Sequence, residues 1–177
     1  MLQNRIDEIV RTIPDFPQKG ILFKDITPVF LYPELCNEIA ETLAAEALKN
    51  GTVDAVAGVE SRGFLFGILL AQKLSVPFHL IRKKGKLPGE TIQHTYQLEY
   101  GSATIELHKG FVKPNQHILI HDDVLATGGT ASAAAALIAQ EGGIVSGYSF
   151  LIELTFLNGR KLLAEKQPNI FSLIRYN

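Results

Sequence analysis

The spacing of apolar residues along the chain alternates between helical and extended patterns. Helical spacing marks residues 2–13, a helix that Pro14 should end, and residues 33–49, a helix that Asn50-Gly51 should end. Farther along, apolar runs typical of buried strands alternate with runs of helix-forming residues. The predicted strands cover residues 53–59, 76–82, 118–122 and 144–154, and the predicted helices cover 63–74 and 131–140. This alternation implies an α/β fold with a mostly parallel sheet and helices on its faces.

Two segments do not follow this alternation. Residues 15–30 are rich in Pro and Gly, and we expect an ordered loop with short extended pieces there. In residues 91–112, apolar and polar residues alternate on both sides of Gly101-Ser102, which predicts an antiparallel hairpin. A polar hairpin flanked by Gly and Pro is either a lid that closes over a binding site or an edge hairpin that stays in place.

Composition and charge limit the classes of function. The chain has 177 residues, 46% of them hydrophobic and 20% charged, which is ordinary for one globular domain. The net charge of −1 gives no general attraction to nucleic acid or to an anionic membrane, so we expect neither as a partner. The sequence shows no signal segment and no apolar run of about 20 residues, so a cytoplasmic location is expected. The single cysteine, Cys36, allows no disulfide within the chain.

A polar sequence follows one of the predicted strands. Ile118-Leu119-Ile120 leads through His121 into the adjacent carboxylates Asp122 and Asp123, and Thr127-Gly128-Gly129-Thr130 precedes the next predicted helix. Two carboxylates at a strand end can accept hydrogen bonds from vicinal hydroxyls. A helix start with free N–H groups and threonine hydroxyls favours a phosphate. A sugar phosphate satisfies both requirements, whereas an ordinary turn between a strand and a helix is the alternative.

This segment resembles the phosphoribosyl pyrophosphate (PRPP) binding motif of the type I phosphoribosyltransferases. Three other segments, in the order and at the spacing of that family, narrow the resemblance to its members that use adenine. They are residues 16–28 (Phe-Pro-Gln-Lys-Gly-Ile-Leu-Phe-Lys-Asp-Ile-Thr-Pro), residues 58–67 (Gly-Val-Glu-Ser-Arg-Gly-Phe-Leu-Phe-Gly), and residues 81–89 (Ile-Arg-Lys-Lys-Gly-Lys-Leu-Pro-Gly) followed by 96–101 (Tyr-Gln-Leu-Glu-Tyr-Gly).

The resemblance implies both a fold and its division. The type I phosphoribosyltransferase fold is a mostly parallel twisted sheet flanked by helices. For this chain we therefore expect one domain over residues 1–177, with a small base-binding hood over 1–32 and a flexible β-hairpin lid over 83–110. Family resemblance also implies a homodimer.

The resemblance also implies a reaction. The expected activity transfers the 5-phosphoribosyl group of PRPP to adenine and gives AMP and pyrophosphate in purine salvage. One alternative is a 6-oxopurine (xanthine, hypoxanthine or guanine) as the base, and another is a PRPP-binding regulatory protein without turnover. Lys24 stands where the family commonly has Arg, and His121 where it usually has an aliphatic residue. Because lysine cannot copy a bidentate guanidinium contact, the loop around Lys24 is the feature most able to decide the base.

The same resemblance gives roles to the residues expected to bind PRPP. The 5′-phosphate is expected at the start of a helix, on Ala126, Thr127, Gly128, Gly129 and Thr130. The ribose hydroxyls are expected on the two carboxylates, Asp122 and Asp123. Pyrophosphate is expected at a tight loop and at nearby cations, namely Glu60, Ser61, Arg62, Gly63, Lys83 and Lys86. Mg²⁺ is expected with PRPP, held by substrate oxygens and water and not by a direct protein ligand.

The remaining roles concern the base and the lid. Leu22, Phe23 and Lys24 are expected to bind adenine. Glu99 is expected to exchange a proton with the base, with Arg62 as the second catalytic residue, and Tyr100 is expected to pack against the closed site. The five histidines make no convincing metal set by their spacing.

Overall fold

A computed structural model describes residues 1–49, 51–97 and 101–177 of the chain. The helices are α1 (Leu2–Ile9), α2 (Pro33–Leu48), α3 (Gly63–Leu74), α4 (Gly129–Gln140) and α5 (Gly159–Ala164). The strands are β1 (Arg11–Pro14), β2 (Leu22–Asp25), β3 (Ala55–Val59), β4 (Phe78–Lys83), β5 (Thr91–Gln97), β6 (Ser102–His108), β7 (His117–Leu125), β8 (Ile144–Leu154) and β9 (Ile170–Tyr176). Short 3₁₀ helices cover Thr27–Leu31 and Thr155–Leu157.

Seven strands form the central sheet in the order β5-β6-β4-β3-β7-β8-β9. The five strands from β4 to β9 in this order run parallel, whereas β6 runs antiparallel to both β4 and β5. This arrangement confirms the predicted α/β fold with a mostly parallel sheet. Gly58 on β3 pairs with His121 on β7, so the residues that follow them reach the same edge of the sheet. Ligands of parallel sheets bind at this carboxyl edge.

Helices cover the two faces of the sheet. On one face, buried residues of α4 such as Ala134, Leu137 and Ile138 pack against the sheet, together with Leu163 of α5. On the other face, the packing comes from α1, α2 and α3, and Cys36 of α2 is buried there. Each fully buried Leu, Ile or Phe contributes roughly 1.5–3 kcal/mol to folding, so both layers stabilise the sheet.

The N-terminal segment contributes a separate two-stranded sheet beside the carboxyl edge. Strands β1 and β2 pair antiparallel, with Arg11 opposite Asp25 and Pro14 opposite Leu22. Helix α1 precedes this pair, and the first 3₁₀ helix follows it. We refer to residues 1–32 as the hood. Its role in base binding, the single domain and the mobility of the hairpin stay predictions.

Some sequence-based boundaries were wrong. The first helix ends at Ile9 and not at Ile13, because the backbone is extended at Val10 and residues 11–14 pair with β2. Strand β7 continues to Leu125, since its pairing with β8 continues through Val124 and Leu125. The two carboxylates therefore lie inside the strand and not, as predicted, at its end.

Other boundaries agreed closely with the structure. Helix α3 and strand β8 have the predicted limits, and α4 begins at Gly129, two residues before the predicted start at 131. The hairpin forms as predicted, with Gln97 opposite Ser102, although residues 98–100 lie outside the described part. Neither α5 nor β9 was predicted from the sequence. Within the described residues, no helix combines the length and apolar character needed to span a membrane.

Candidate active site

A cavity of about 860 Å³ opens at the carboxyl edge of the sheet. Five regions that are distant in sequence meet there: the hood, the loop after β3, and the ends of β4, β7 and β8. The lining residues are Phe16, Ile21, Leu22, Phe23, Lys24, Glu60, Ser61, Arg62, Lys83, Asp122, Asp123, Val124, Ala126 and Leu154. The structure thus brings most of the predicted site residues to one cavity, and it adds Phe16, Ile21, Val124 and Leu154, which the sequence analysis missed.

The 126–130 loop forms a smaller pocket that shares Asp122, Val124 and Ala126 with the main cavity. This pocket has a volume of about 70 Å³, compared with roughly 30 Å³ for one water molecule in the liquid. Gly128 adopts a left-handed φ of +81° immediately before α4, a conformation that favours glycine. The pocket therefore lies at the start of a 12-residue helix, where N–H groups and the helix dipole attract anions.

Gly159 packs directly against the backbone of the 126–130 loop. A Cβ on Gly159 would collide with the carbonyl oxygen of Ala126 and would lie 2.9 Å from the amide nitrogen of Gly128. The loop therefore packs backbone to backbone against the start of α5. Gly159 was not predicted as a site residue, although Asn158-Gly159 after an apolar strand is a turn signal.

The carboxylates of Asp122 and Asp123 are adjacent and poorly solvated. Oδ1 of Asp122 accepts a hydrogen bond of 2.8 Å from the Asp123 amide. Burial, reinforced by the neighbouring Asp123 charge, raises the pKa of Asp122 well above its usual range. Burial also raises the pKa of Asp123, and the Arg62 charge opposes this rise. A ligand that donates hydrogen bonds or brings positive charge would stabilise the ionised forms.

Arg62 connects the carboxylates to the hood. Its Nε lies 2.7 Å from Oδ2 of Asp123, and its guanidinium carbon lies 4.8 Å from the centre of the Phe23 ring. Gly63, next in the chain, lets α3 approach the same carboxylates, since a Cβ there would lie 2.9 Å from Oδ1 of Asp122. Gly63 is not among the residues that line the main cavity, but it fixes the distance between α3 and β7.

Glu60 is bound by protein groups in this structure. Its carboxylate accepts hydrogen bonds from Arg82, at 3.0 and 3.2 Å, and from the Lys83 amide at 2.9 Å. The hydrogen bond from Arg82 makes the largest contribution to lowering the pKa of Glu60, which therefore stays ionised. The peptide bond between Glu60 and Ser61 is cis. Glu60 thus holds the start of the lysine-rich segment near the cavity.

Lys83 and Lys86 have different environments. Lys83 lines the main cavity, whereas Lys86 is exposed and does not line it. The backbone of Lys86 is held in place, because its amide donates to the buried carboxylate of Glu106 at 2.9 Å and its carbonyl accepts from Arg82 at 2.9 Å. The structure therefore places Lys83, but not Lys86, with the other predicted PRPP residues.

The ammonium group of Lys24 is engaged within the hood. It donates to Oγ1 of Thr12 at 2.9 Å and lies 3.8 Å from the centre of the Tyr176 ring. The Tyr176 hydroxyl in turn donates to Asp7 at 2.6 Å. Although Lys24 lines the cavity, its charge therefore ties β2 to β1 and to the last strand. Phe23 packs edge to face on Phe16, with ring centres 5.1 Å apart.

Glu99 and Tyr100 lie outside the described residues, so their roles stay predictions. Within residues 1–49, 51–97 and 101–177, no cluster of three or more His, Cys, Asp or Glu side chains is arranged to hold a metal.

His121 is fully buried, with Nδ1 3.3 Å from Oγ of Ser149. Burial lowers the pKa of His121 to about 4.

The fold and the site together define a class of protein. A carboxylate pair beside a small anion pocket, at the carboxyl edge of a mostly parallel sheet, is suited to an enzyme that binds a phosphorylated sugar. The phosphoribosyl transferase domain model matches residues 32–146. The chain belongs to this family, as the resemblance of its motifs implied.

Individual relatives are similar over nearly the full chain. The adenine phosphoribosyltransferase of Cytophaga hutchinsonii is 48% identical over 176 residues, which cover 99% of this chain and 97% of the relative. The adenine phosphoribosyltransferase of Sorangium cellulosum is 49% identical over 170 residues, which cover 94% of this chain and 84% of the relative.

Solved structures give the same result. The adenine phosphoribosyltransferase of Thermoanaerobacter pseudethanolicus superposes with a TM-score of 0.92 at 48% identity, over 99% of this chain and 100% of the other. The Saccharomyces cerevisiae enzyme, solved in complex with an imino-altritol bisphosphate and adenine, superposes with a TM-score of 0.91 at 39% identity, over 97% and 98% of the two chains.

Proposed function

We propose that this chain transfers the 5-phosphoribosyl group of PRPP to adenine, giving AMP and pyrophosphate in purine salvage. The observation that supports this most directly is the single cavity shared by the hood, the Glu60–Arg62 loop and the end of β7. Such a cavity can hold a base, a pyrophosphate and a ribose phosphate side by side. The relatives with names printed as adenine phosphoribosyltransferase, at 48% and 49% identity, support adenine as the base.

The ribose phosphate is assigned to the end of β7 and the loop that follows. The 5′-phosphate would accept hydrogen bonds from backbone N–H groups and from the hydroxyls of Thr127 and Thr130 in the pocket of about 70 Å³. The ribose hydroxyls would donate to Asp122 and Asp123. These carboxylates would also stabilise the positive charge that develops at the ribose when the bond to pyrophosphate breaks, as in glycosidases.

Pyrophosphate is assigned to the Glu60–Gly63 loop and the cationic segment beside it. Arg62 and Lys83 both line the cavity and supply positive charge there. Lys86 would join them only if the hairpin moves, because its side chain does not line the cavity in this structure. Glu60 would act indirectly, by holding Arg82 and the Lys83 backbone.

Mg²⁺ fits this site as a companion of PRPP. Bound to the diphosphate, it would neutralise the charge of the leaving group. Asp123 is suited to hold a water of that ion, because among the described residues its buried Oδ2 has the Arg62 ion pair but no hydrogen-bond partner.

The base is assigned to the space between the hood and Leu154. Since Thr12 and Tyr176 engage the ammonium of Lys24, we assign recognition of the 6-amino edge to backbone groups of residues 22–24 and stacking to Phe23. Glu99 would exchange a proton with the base, while Tyr100 would pack over the closed site. Because the Lys24 side chain has no part in this recognition, lysine in place of the family's arginine at position 24 is compatible with adenine as the substrate.

A base panel tests the proposed function. Purified protein is incubated with PRPP, Mg²⁺ and adenine, hypoxanthine, xanthine or guanine, and the products are separated by chromatography. We expect AMP from adenine and at least 100-fold lower initial rates with the other three bases. A site that hydrogen-bonds a polar edge can reject an analogue without that edge by roughly 10⁴- to 10⁵-fold. IMP, XMP or GMP as the main product would establish the 6-oxopurine alternative, and no nucleotide with any base would exclude this activity.

Two further expectations accompany this function. We propose that the enzyme acts as a homodimer in the cytoplasm. Light scattering coupled to size-exclusion chromatography should give about twice the chain mass of 19.4 kDa, and a mass of one chain would contradict the dimer.

A further inference from the structure

Tyr96 of β5 contacts the 126–130 loop from the side of the hairpin. Its hydroxyl lies 3.0 Å from Oγ1 of Thr130. A Cβ on Gly129 would lie 3.8 Å from two carbons of its ring. The ring is half-buried and packs against the core on the α4 face of the sheet. The phenol is therefore fixed both by the core and by the loop.

We infer that Tyr96 is a positioning residue for the 5′-phosphate of PRPP, an inference that rests on the proposed function. A threonine hydroxyl has one proton to donate and lone pairs to accept with. When Thr130 donates its proton to a phosphate oxygen, the bond between the two side chains requires Tyr96 to be the donor. Tyr96 thus occupies an acceptor position on the Thr130 hydroxyl and keeps its proton free to point at the anion, which reduces the ordering needed on binding.

The same contact holds the turn end of the hairpin, since Tyr96 pairs with Ala103 next to the last strand pair, Gln97 and Ser102. Strands β5 and β6 are joined beside Tyr96 by the hydroxyls of Thr95 and Thr104, which lie 2.8 Å apart. Gln97, the next residue after Tyr96, lines a cavity together with Thr127, Gly129 and Thr130. Tyr96 therefore ties the starting point of the segment that carries Glu99 to the residues assigned to the phosphate.

Substitution of Tyr96 by Phe removes only the hydroxyl. We expect the Kd of ribose 5-phosphate, measured by calorimetry, and the KM of PRPP each to rise about 3- to 10-fold, the range for one hydrogen bond. The KM of adenine and kcat should stay within about twofold, because neither the base nor the proton transfer uses this hydroxyl. Tyr148→Phe is the matched control, since its buried hydroxyl has no hydrogen-bond partner among the described residues. It should leave all four quantities unchanged.

Variants at Thr130 test whether Tyr96 acts through the threonine hydroxyl. In a Thr130→Val background, which lacks the hydroxyl, adding Tyr96→Phe should not weaken ribose 5-phosphate binding further. In a Thr130→Ser background, which keeps it, the same addition should weaken binding about 3- to 10-fold. An equal loss in both backgrounds would overturn the inference. Wild-type affinity of Tyr96→Phe for ribose 5-phosphate would also overturn it, even if the unfolding midpoint fell, because the role would then be structural.

These measurements separate the inference from the proposed function. Ribose 5-phosphate contains neither base nor pyrophosphate, so its binding reports on the 126–130 loop and the adjacent carboxylates Asp122 and Asp123, without the base and pyrophosphate sites. If the wild-type protein formed no AMP but bound ribose 5-phosphate in a manner that depends on Tyr96, the proposed reaction would fail and the role of Tyr96 would stand.

Discussion

Replacement of His121 by leucine isolates the effect of one buried imidazole on stability. His121 is fully buried in the centre of the sheet, and Nε2 has no hydrogen-bond partner among the described residues. Burial lowers its pKa from 6.5 to about 4, so the folded protein holds this side chain neutral. In the unfolded chain the same imidazole takes up a proton near pH 6.5.

The sign and size of the effect follow from proton linkage. Between pH 6.5 and 4 the unfolded state binds more protons at His121 than the folded state, so stability falls as the pH is lowered. The difference in pKa corresponds to about 3 kcal/mol over the whole window, and to about 2 kcal/mol at pH 5 relative to pH 7.5. His121→Leu, an aliphatic residue of similar size, lacks this dependence.

Urea unfolding of both proteins at pH 7.5, 6.5, 5.5 and 5.0 tests the reasoning. The free energy of unfolding of His121→Leu relative to wild type should increase by about 2 kcal/mol from pH 7.5 to pH 5. Acidic groups and His79 are common to both proteins and cancel in the difference. His94→Leu removes a half-buried imidazole on the hairpin and serves as the control. A difference between wild type and His121→Leu that stays constant with pH would refute the argument.

Three further predictions concern the site. Asp123→Asn should raise the KM of PRPP about 10- to 100-fold in steady-state assays, because it removes a charged acceptor. The urea midpoint of this variant should stay nearly unchanged, since an amide is easier to bury than a carboxylate. Glu99→Gln should lower kcat about 100-fold or more with little change in PRPP affinity, and equal turnover of variant and wild type would exclude a role in proton transfer. Gly159→Ala should weaken ribose 5-phosphate binding and lower the free energy of unfolding by about 1–3 kcal/mol. The control is Gly147→Ala, in which the added methyl group clashes with Asn169 away from the site. This control should lower the free energy of unfolding without changing ribose 5-phosphate binding.

Local patterns were sufficient for the elements with clear ends. Strand β8 is a mostly apolar stretch after Gly142-Gly143, and α3 follows a strand and ends before a turn, so both limits could be predicted from the sequence. The N-terminal helix was overextended because Ile13 has the spacing of a helical residue but pairs with Phe23 of β2. That choice is made by a partner strand ten residues away, which local periodicity does not report.

The site likewise has residues that the local sequence predicts and contacts that it does not predict. The adjacent carboxylates and the Thr-Gly-Gly-Thr turn are contiguous, so their proximity was predictable from the chain alone. The contacts of Lys24 with Tyr176, of Tyr96 with Thr130 and of Gly159 with Ala126 join residues far apart in sequence. Only the tertiary fold brings these pairs together, which is why the anchoring of the hood and the support of the 126–130 loop were not predicted.

The central position of β3 has a consequence for biosynthesis. All five of its residues are buried, and it pairs with β4 on one side and with β7 on the other. Ala55 therefore cannot pair with Ile118 until the ribosome has synthesised β7. Ribosomes add about 5–20 residues per second, which leaves an apolar strand edge unpaired on the nascent chain for several seconds. During that interval the chain is open to intermolecular strand pairing, so we expect chaperone supply and translation speed to govern the yield of native enzyme.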